Sequence, residues 1–569
     1  MQHSKPTRIF LPQDFKLSSW EQLQPYFESL VSRDLNTAVE TEEWLKERSE
    51  LDAVLEEDMA WRYIKMNIDT TDEALAKEFE FFVQEIEPKM APYDHKLNVK
   101  LIESKGVNFL DVDTYKIYLR GVKRAIEIFR EENIALEAEL TTLSQKYGTI
   151  AAKMAIEHEG EELTMQKGAS LLRSTDRDLR ESVYHKLQER RAQDRDALDS
   201  LFTELIEKRT QLAKNAGFEN YRDYMFAAMG RFDYGPEDCF QFHDAIEKEI
   251  VPIIEVFQKE RKQQLGLDVL KPWDTSVDPN NLPPLKPFEK GDDLLAKSIT
   301  CFEQLDPYFS NCLKTMEEMG HLDLDSKKGK APGGFNYPMY EVGAPFIYMN
   351  AVGSLDDVVT MVHEGGHAIH SFLTHPLELT TFKSFPSEVA ELASMSMELM
   401  SSKHWDVFLP DADDLKRAKK DHLKRVLGVL PWVAAIDKFQ HWIYTNPTHT
   451  VAERHAQWTE IITALSGSEL DWTGLEQYRD SMWQAQLHLY EVPFYYIEYG
   501  MAQLGAIAVW RNFMQDQTKA IADYKAGLSL GYTKSIGEIY QTAGVKFDFS
   551  PAYVKELASF VKDELSKLD

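Results

Sequence analysis

Apolar residues recur at helical spacing along most of this 569-residue chain. Between Thr70 and Met90 they fall on one face of a helix, which a capping-box pattern at Thr70 and Glu73 would begin. The stretches 113–137 and 175–213 show the same spacing among many charged residues. No internal repeat interrupts this pattern. We therefore expect a mainly α-helical protein.

Two segments depart from the helical pattern. Residues 266–287 contain five prolines, which indicates a loop. Residues 325–353 are rich in glycine. Near their end lies the run Phe346–Met349, whose β-branched and aromatic side chains are typical of a strand. We expect a small β-sheet here, directly before the candidate metal-binding helix.

The charge balance excludes one broad class of function. With 64 Lys and Arg against 94 Asp and Glu, the chain has a formal charge of −30 and lacks the basic surface that nucleic acids require. Residues 1–20 have no apolar core typical of a secretion signal, and no run of about 18 apolar residues indicates a membrane span. We expect a soluble cytoplasmic protein, with Cys239, Cys301 and Cys312 as free thiols.

The segment 354–373 contains a pattern that predicts a metal site. Ser354 and Asp357 can cap a helix on which His363 and His367 lie one turn apart, so both imidazoles can share one Zn²⁺. Glu364 points to the side of that pair, where it can accept a proton from water.

Two further features of this helix need an explanation. Gly365 and Gly366 each cost about 1 kcal/mol relative to alanine inside a helix, so we expect another backbone or a substrate to approach closely here. His370 would lie about 10.5 Å along the helix axis from His363. We therefore expect His370 to be a packed histidine, not a third ligand.

A second predicted helix, 386–400, offers carboxylates for the third ligand. Pro386 suits its first turn, and Glu388, Glu391 and Glu398 share one mostly apolar face. Acidic side chains in such a place need partners, which a metal and its histidines would supply. Spacing alone leaves Glu388 and Glu391 equally plausible as ligands.

The run HEGGHAIH, followed by EVAELASMSMEL, resembles the zinc oligopeptidases of the thimet oligopeptidase and oligoendopeptidase F family, especially the bacterial branch with the Pz-peptidases. Gly343–Phe346 matches the family's G-x-P-F pattern, and Ala393 stands where the family usually has proline. The resemblance implies one Zn²⁺ bound by His363, His367 and Glu391. It implies that Glu364 is the catalytic base, that Glu398 orients a ligand histidine and that Glu388 is not a ligand.

The segment 488–500 contains one histidine and four tyrosines. Composition alone allows two interpretations: aromatic packing, or donors that stabilise an oxyanion. The family resemblance favours the second, with His488, Tyr495 and Tyr499 preferred over Tyr490 and Tyr496. We expect Pro493 to begin a helix on which Tyr495 and Tyr499 share a face.

The resemblance also implies a two-lobed gluzincin oligopeptidase fold that encloses a deep channel, with residues 1–195 as a helical part of the channel wall and 196–569 as the catalytic region. It implies a zinc-dependent endopeptidase that cleaves short peptides. We expect the strand Phe346–Met349 to pair with the substrate backbone. Two alternatives stay open: another gluzincin such as an aminopeptidase, and a non-catalytic helical scaffold that binds peptides. Neither nucleic acid nor a membrane is an expected partner.

Overall fold

A computed structural model describes residues 6–327, 329–331 and 333–568, and it is mostly helical, as predicted. The helices are α1 Trp20–Ser32, α2 Ala38–Ile68, α3 Glu73–Phe81, α4 Glu87–Glu103, α5 Val112–Ile128, α6 Glu131–Ala152, α7 Met165–Ser170, α8 Arg177–Gln193, α9 Arg195–Asn215, α10 Tyr221–Ala228, α11 Pro236–Glu249, α12 Val251–Gln264, α13 Gly291–Leu305, α14 Pro307–Met319, α15 Leu355–Thr374, α16 Thr380–Lys383, α17 Ser387–Ser401, α18 Ala412–Thr445, α19 Val451–Leu465, α20 Glu476–Arg479, α21 Leu487–Glu491, α22 Ile497–Gln515, α23 Gln517–Leu528, α24 Ile536–Thr542 and α25 Pro551–Ser566. The strands are β1 Ala155–His158, β2 Glu161–Thr164, β3 Leu322–Asp325, β4 Phe335–Tyr337 and β5 Phe346–Ala351. Among the described residues, no helix is both long and apolar enough to cross a membrane.

The chain forms two compact units, each built from three separate segments. The first unit comprises Met1–Glu131, Lys286–Lys419 and Ala502–Phe547; the second comprises Glu132–Leu285, Lys420–Met501 and Asp548–Asp569. Helices α1 to α5 and the two predicted metal-binding helices therefore belong to the same unit, whereas α7 and α8 belong to the second. The domain boundary between residues 195 and 196 stays a prediction.

Each unit has its own buried apolar clusters. In the first unit, α1, α2, α4 and α5 bury a large cluster that includes Phe27, Trp44 and Leu97. In the second unit, Tyr184 and Trp273 pack with residues from the region of α20. Burial of such large side chains is the main stabilising contribution in both units.

The first unit contains a three-stranded sheet in the order β3–β5–β4. The predicted strand at Phe346–Met349 is confirmed as part of β5, which pairs in parallel with β3 and antiparallel with β4. The expectation that this strand pairs with a substrate backbone is wrong, because both of its sides are already hydrogen-bonded to neighbouring strands. An added strand requires an edge, and β4 is an edge strand of this sheet.

The predicted helix between Thr70 and Met90 differs from the structure at both ends. The cap is Asp72, whose carboxylate accepts a hydrogen bond from the Ala74 amide, whereas the Thr70 hydroxyl donates to the Gly329 carbonyl. The helix does not end near Met90: a π-helical turn, Phe82–Ile86, joins α3 to α4, which has Pro88 in its first turn and ends at Glu103. Proline fits there because it lies in the first turn of α4, where no hydrogen-bond donor is needed.

Candidate metal centre

Helix α15 carries the two histidines and begins as predicted. The Ser354 hydroxyl accepts a hydrogen bond from the Asp357 amide, and the Asp357 carboxylate accepts one from the Ser354 amide at 2.8 Å. This reciprocal cap satisfies two amides that the helix itself leaves without partners. It fixes the start of the helix in front of His363.

Helix α17 packs tightly on α15 at Gly366, which explains the glycine there. A Cβ atom at Gly366 would lie 2.6 Å from Ser394 Cα and 2.7 Å from the Ala393 carbonyl oxygen. Gly365 is similarly close to the Phe302 ring. The expected close approach of another backbone is confirmed, and the approaching backbone is that of α17.

We expect Gly366→Ala to lower the free energy of unfolding by about 1–3 kcal/mol, because its methyl group would push α17 away from α15. The matched control is Gly121→Ala in α5, where a Cβ would meet nothing within 4 Å. Alanine there should leave stability unchanged or raise it by up to about 1 kcal/mol. Thermal unfolding of the two variants checks this; equal midpoints would show that the helix crossing tolerates a side chain.

The helix crossing brings three candidate ligands together. Donor atoms of His363, His367 and Glu391 all lie within 4.8 Å of one another. Glu391 Oε2 is 3.4 Å from His363 Nε2 and 3.8 Å from His367 Nε2. The distances are close to the ligand–ligand separations of about 3.3–3.8 Å in a tetrahedral zinc site.

The other sequence-predicted residues lie around this group. Glu398 Oε1 is 2.7 Å from His363 Nδ1, so the opposite ring nitrogen faces Glu391. Glu388, although buried like Glu391, is not part of the group of close donor atoms. His370 is completely buried and stacks on the Phe385 ring with centroids 3.4 Å apart, as expected of a packed histidine.

The electrostatics of the group favour a cation. Burial raises the pKa of Glu364 to about 7 and lowers that of His367 to about 4. Burial alone would raise the pKa of Glu391, but the neighbouring imidazoles lower it to about 2. Burial would lower the pKa of His363, but hydrogen bonds to Glu391 and Glu398 raise it well above its ordinary value. Three buried or half-buried carboxylates thus surround two imidazoles.

These residues fit a zinc ion. Two imidazole nitrogens and one carboxylate are a ligand set typical of zinc, and Glu398 is placed to fix the tautomer of His363. Glu364 Oε2 is buried and has no hydrogen-bond partner among the described residues, so it is available to a water molecule at the metal. The Glu364 carbonyl accepts a hydrogen bond from the Asn336 side chain of β4 at 3.2 Å, which joins this helix to the edge strand.

The second unit contains the predicted histidine and tyrosine cluster. The His488 ring lies 6.0 Å from Tyr495, 4.9 Å from Tyr496 and 5.9 Å from Tyr499, measured between centroids. All four side chains are half-buried, whereas Tyr490 is completely buried and stacks on another core ring. The structure therefore separates Tyr490 from the cluster but groups Tyr496 with the two preferred tyrosines.

The predicted helix start at Pro493 is wrong. Helix α22 begins only at Ile497, and Phe494 has a left-handed backbone with φ of 69°. Tyr495 therefore precedes the helix that carries Tyr499, although their rings still lie 5.4 Å apart. Tertiary hydrogen bonds from Arg231 and to Gln440 hold this turn.

Two buried arginines that sequence reasoning missed support this segment. Arg231 donates to the Glu498 carboxylate at 2.8 Å and to the Phe494 carbonyl. Arg209 donates to the Leu489 carbonyl at 3.0 Å and to the Tyr490 carbonyl. Charged hydrogen bonds of this kind are strong when buried. Isolated arginines far away in sequence gave no signal that could have found them.

Comparisons with known proteins agree with this architecture. A structure of Pz peptidase A with an inhibitor aligns over 98% of this chain and 99% of its own, with 27% identity and a TM-score of 0.91. The group B oligopeptidase PepB of Streptococcus agalactiae is 24% identical over 42% of this chain and 39% of its own length. An oligoendopeptidase F homolog of Lactococcus lactis is 22% identical over 72% of this chain and 66% of its own. The matches to these two curated relatives thus span less than two thirds of their lengths.

Family patterns match most of the sequence. The Peptidase family M3 pattern covers residues 170–559, including both helices of the metal centre, and the Peptidase M3 N-terminal domain pattern covers residues 10–129. The chain belongs to peptidase family M3.

Proposed function

We propose that this protein is a zinc-dependent endopeptidase that hydrolyses internal bonds of short peptides. The proposal rests on the group His363, His367 and Glu391, whose donor atoms lie within 4.8 Å of one another. Next to His363 on the same helix is Glu364, whose Oε2 has no hydrogen-bond partner among the described residues. Membership in peptidase family M3 supports the same reaction class. A zinc ion held there would act as a Lewis acid that activates water and polarises the peptide carbonyl.

Glu364 is the proposed proton carrier. Its carboxylate accepts a proton from the attacking water and then delivers it to the leaving nitrogen of the cleaved bond. The residue follows His363 directly on α15, so its position is fixed by the same helix that places both histidines. Glu398 hydrogen-bonds His363 and thereby keeps the opposite ring nitrogen directed at the metal position.

Strand β4 is the proposed contact for the substrate backbone. It is an edge strand of its sheet, and the Asn336 side chain in the middle of the strand bonds to the carbonyl of Glu364. An extended peptide could add to this edge through main-chain hydrogen bonds, which depend little on side-chain identity. The roles of His488, Tyr495 and Tyr499 in stabilising an oxyanion stay a prediction from family resemblance, as does the cytoplasmic location.

A short peptide that is acetylated at its N-terminus and amidated at its C-terminus distinguishes the proposal from its alternatives. We expect cleavage at internal bonds, detected as fragments by mass spectrometry, because an endopeptidase needs no free terminus. The unblocked peptide of the same sequence is the control. Stepwise loss of terminal residues from the control alone would indicate an exopeptidase, and two intact peptides would indicate a binding scaffold.

A further inference from the structure

A second cluster of metal-ligand side chains lies in the second unit, between α11 and α18. Helix α11 carries Cys239 and His243 one turn apart, and α18 carries Asp437 and His441 at the same spacing. Residues four apart share one helix face. Each helix therefore presents a pair of potential ligands, as α15 does in the first unit.

The donor atoms of the two helices meet. Those of Cys239, Asp437 and His441 all lie within 4.8 Å of one another. His243 Nε2 is 2.8 Å from Asp437 Oδ2, and His441 Nε2 is 3.2 Å from the same oxygen. The 4.8 Å within which the three donors lie is close to the donor separations of a tetrahedral zinc site, about 3.3–3.8 Å.

The cluster is buried, and its polar atoms are incompletely satisfied. Cys239 and Asp437 are completely buried, and His441 is 4% exposed. In the part of the chain that the structure describes, Asp437 Oδ1 and His441 Nδ1 have no hydrogen-bond partner. The His441 ring is instead surrounded by Phe226, Phe240 and Phe494. Leaving such groups buried and unpaired is costly unless something binds them.

We infer that this cluster is a second metal site, in which Cys239, Asp437 and His441 bind one zinc ion. A thiolate, an imidazole and a carboxylate form a donor set that favours Zn²⁺ over Mg²⁺ or Ca²⁺. His243 keeps its hydrogen bond to Asp437 Oδ2 and orients the carboxylate, so that the unpartnered Oδ1 is available to the metal. The protein would then hold two zinc ions, where its sequence motifs predicted one.

The site would stabilise the segment that carries the histidine and tyrosine cluster. Gln440, which precedes His441 on α18, accepts a hydrogen bond from the Phe494 amide at 2.6 Å. The Phe494 ring itself packs on His441 with centroids 5.5 Å apart. A metal that fixes α18 against α11 thus lies directly beneath the left-handed turn at Phe494. This structural role does not depend on the proposed peptidase activity.

Cobalt substitution in the full-length protein tests the inference. A chain produced in zinc-depleted, cobalt-supplemented medium should contain two cobalt ions and show a thiolate-to-cobalt charge-transfer band in the near ultraviolet. No cysteine belongs to the first group of ligands, so this band reports only the second site. A His367→Ala chain should keep one cobalt ion and the full band. Cys239→Ser should lose the band, whereas the control Cys301→Ser, also buried, should retain it.

A wild-type chain without the charge-transfer band would overturn the inference, whatever its cobalt content. A band of unchanged intensity in Cys239→Ser would also overturn it, because the thiolate would then come from another cysteine. If Cys239→Ser does not fold, the wild-type and His367→Ala spectra decide the question without it. Failure of the peptidase proposal would leave these spectra unchanged, so the two proposals fail separately.

Discussion

Glu364→Gln is expected to lower kcat by about 10²–10⁴-fold or more while the zinc content stays at the wild-type value. The amide preserves the shape of the side chain but accepts no proton from water. Glu364 is buried, and the other acidic residues of α15, Asp356 and Asp357, lie in its first turn. The measurement is kcat on a blocked peptide, with metal analysis of the same sample.

The exposed Glu378, which pairs with Lys46 at the surface, supplies the control substitution. Glu378→Gln should retain wild-type kcat and metal content, because surface ion pairs contribute little. Unchanged turnover in Glu364→Gln would contradict the assigned proton transfer. Loss of zinc from Glu364→Gln would instead place this carboxylate among the ligands.

Glu391→Ala is expected to weaken zinc binding by more than the 10–100-fold that loss of an outer hydrogen-bond partner typically causes, and to abolish turnover. Its carboxylate lies 3.4 Å from His363 Nε2 and 3.8 Å from His367 Nε2, and removal leaves two imidazoles to hold the ion. Zinc affinity is measured by competition with a chromophoric chelator, and turnover is measured on the same blocked peptide.

Glu388→Gln is the matched control for the ligand assignment, because Glu388 is on the same helix and is 2% exposed, against 4% for Glu391. It should keep wild-type zinc affinity, since its carboxylate lies outside the close donor group. The opposite pattern, with zinc lost from Glu388→Gln and retained by Glu391→Ala, would exchange the two roles. Spacing in the sequence left both of these residues possible as the third ligand.

The local rules of helix formation predicted α15 well. Its cap at Ser354 and its turn-spaced histidines depend on contacts within one helix, and such contacts are visible in a sequence. The tight approach at Gly366 was also foreseeable, because two adjacent glycines in a helix need a reason. The sequence could not identify the approaching backbone, since that depends on how α17 crosses α15.

Other features were decided by contacts distant in sequence. The turn at Phe494 is held by Arg231 and Gln440, so Pro493 does not begin a helix as its local preference suggested. Strand β5 was predicted, but its central position in the sheet depends on β3 and β4, which flank it in space. The order and register of strands are features that reasoning from one sequence usually leaves undetermined.

The residues of the candidate site also differ in how far the sequence alone could predict them. His363, His367 and Glu364 follow from one motif on one helix, whereas Glu391 required a resemblance to separate it from Glu388. The cluster of Cys239 and Asp437 was missed, although each residue has a histidine four positions later. That spacing is a usable signal only when the two helices are known to face each other.

Zinc dependence is tested by peptide hydrolysis by the full-length chain before chelation, after chelation, and after zinc is returned, with the metal content of each sample measured. We expect cleavage of the blocked peptide to stop when the site of His363, His367 and Glu391 loses its metal and to resume when zinc is restored. Continued cleavage by a chain shown to be free of metal would contradict this expectation.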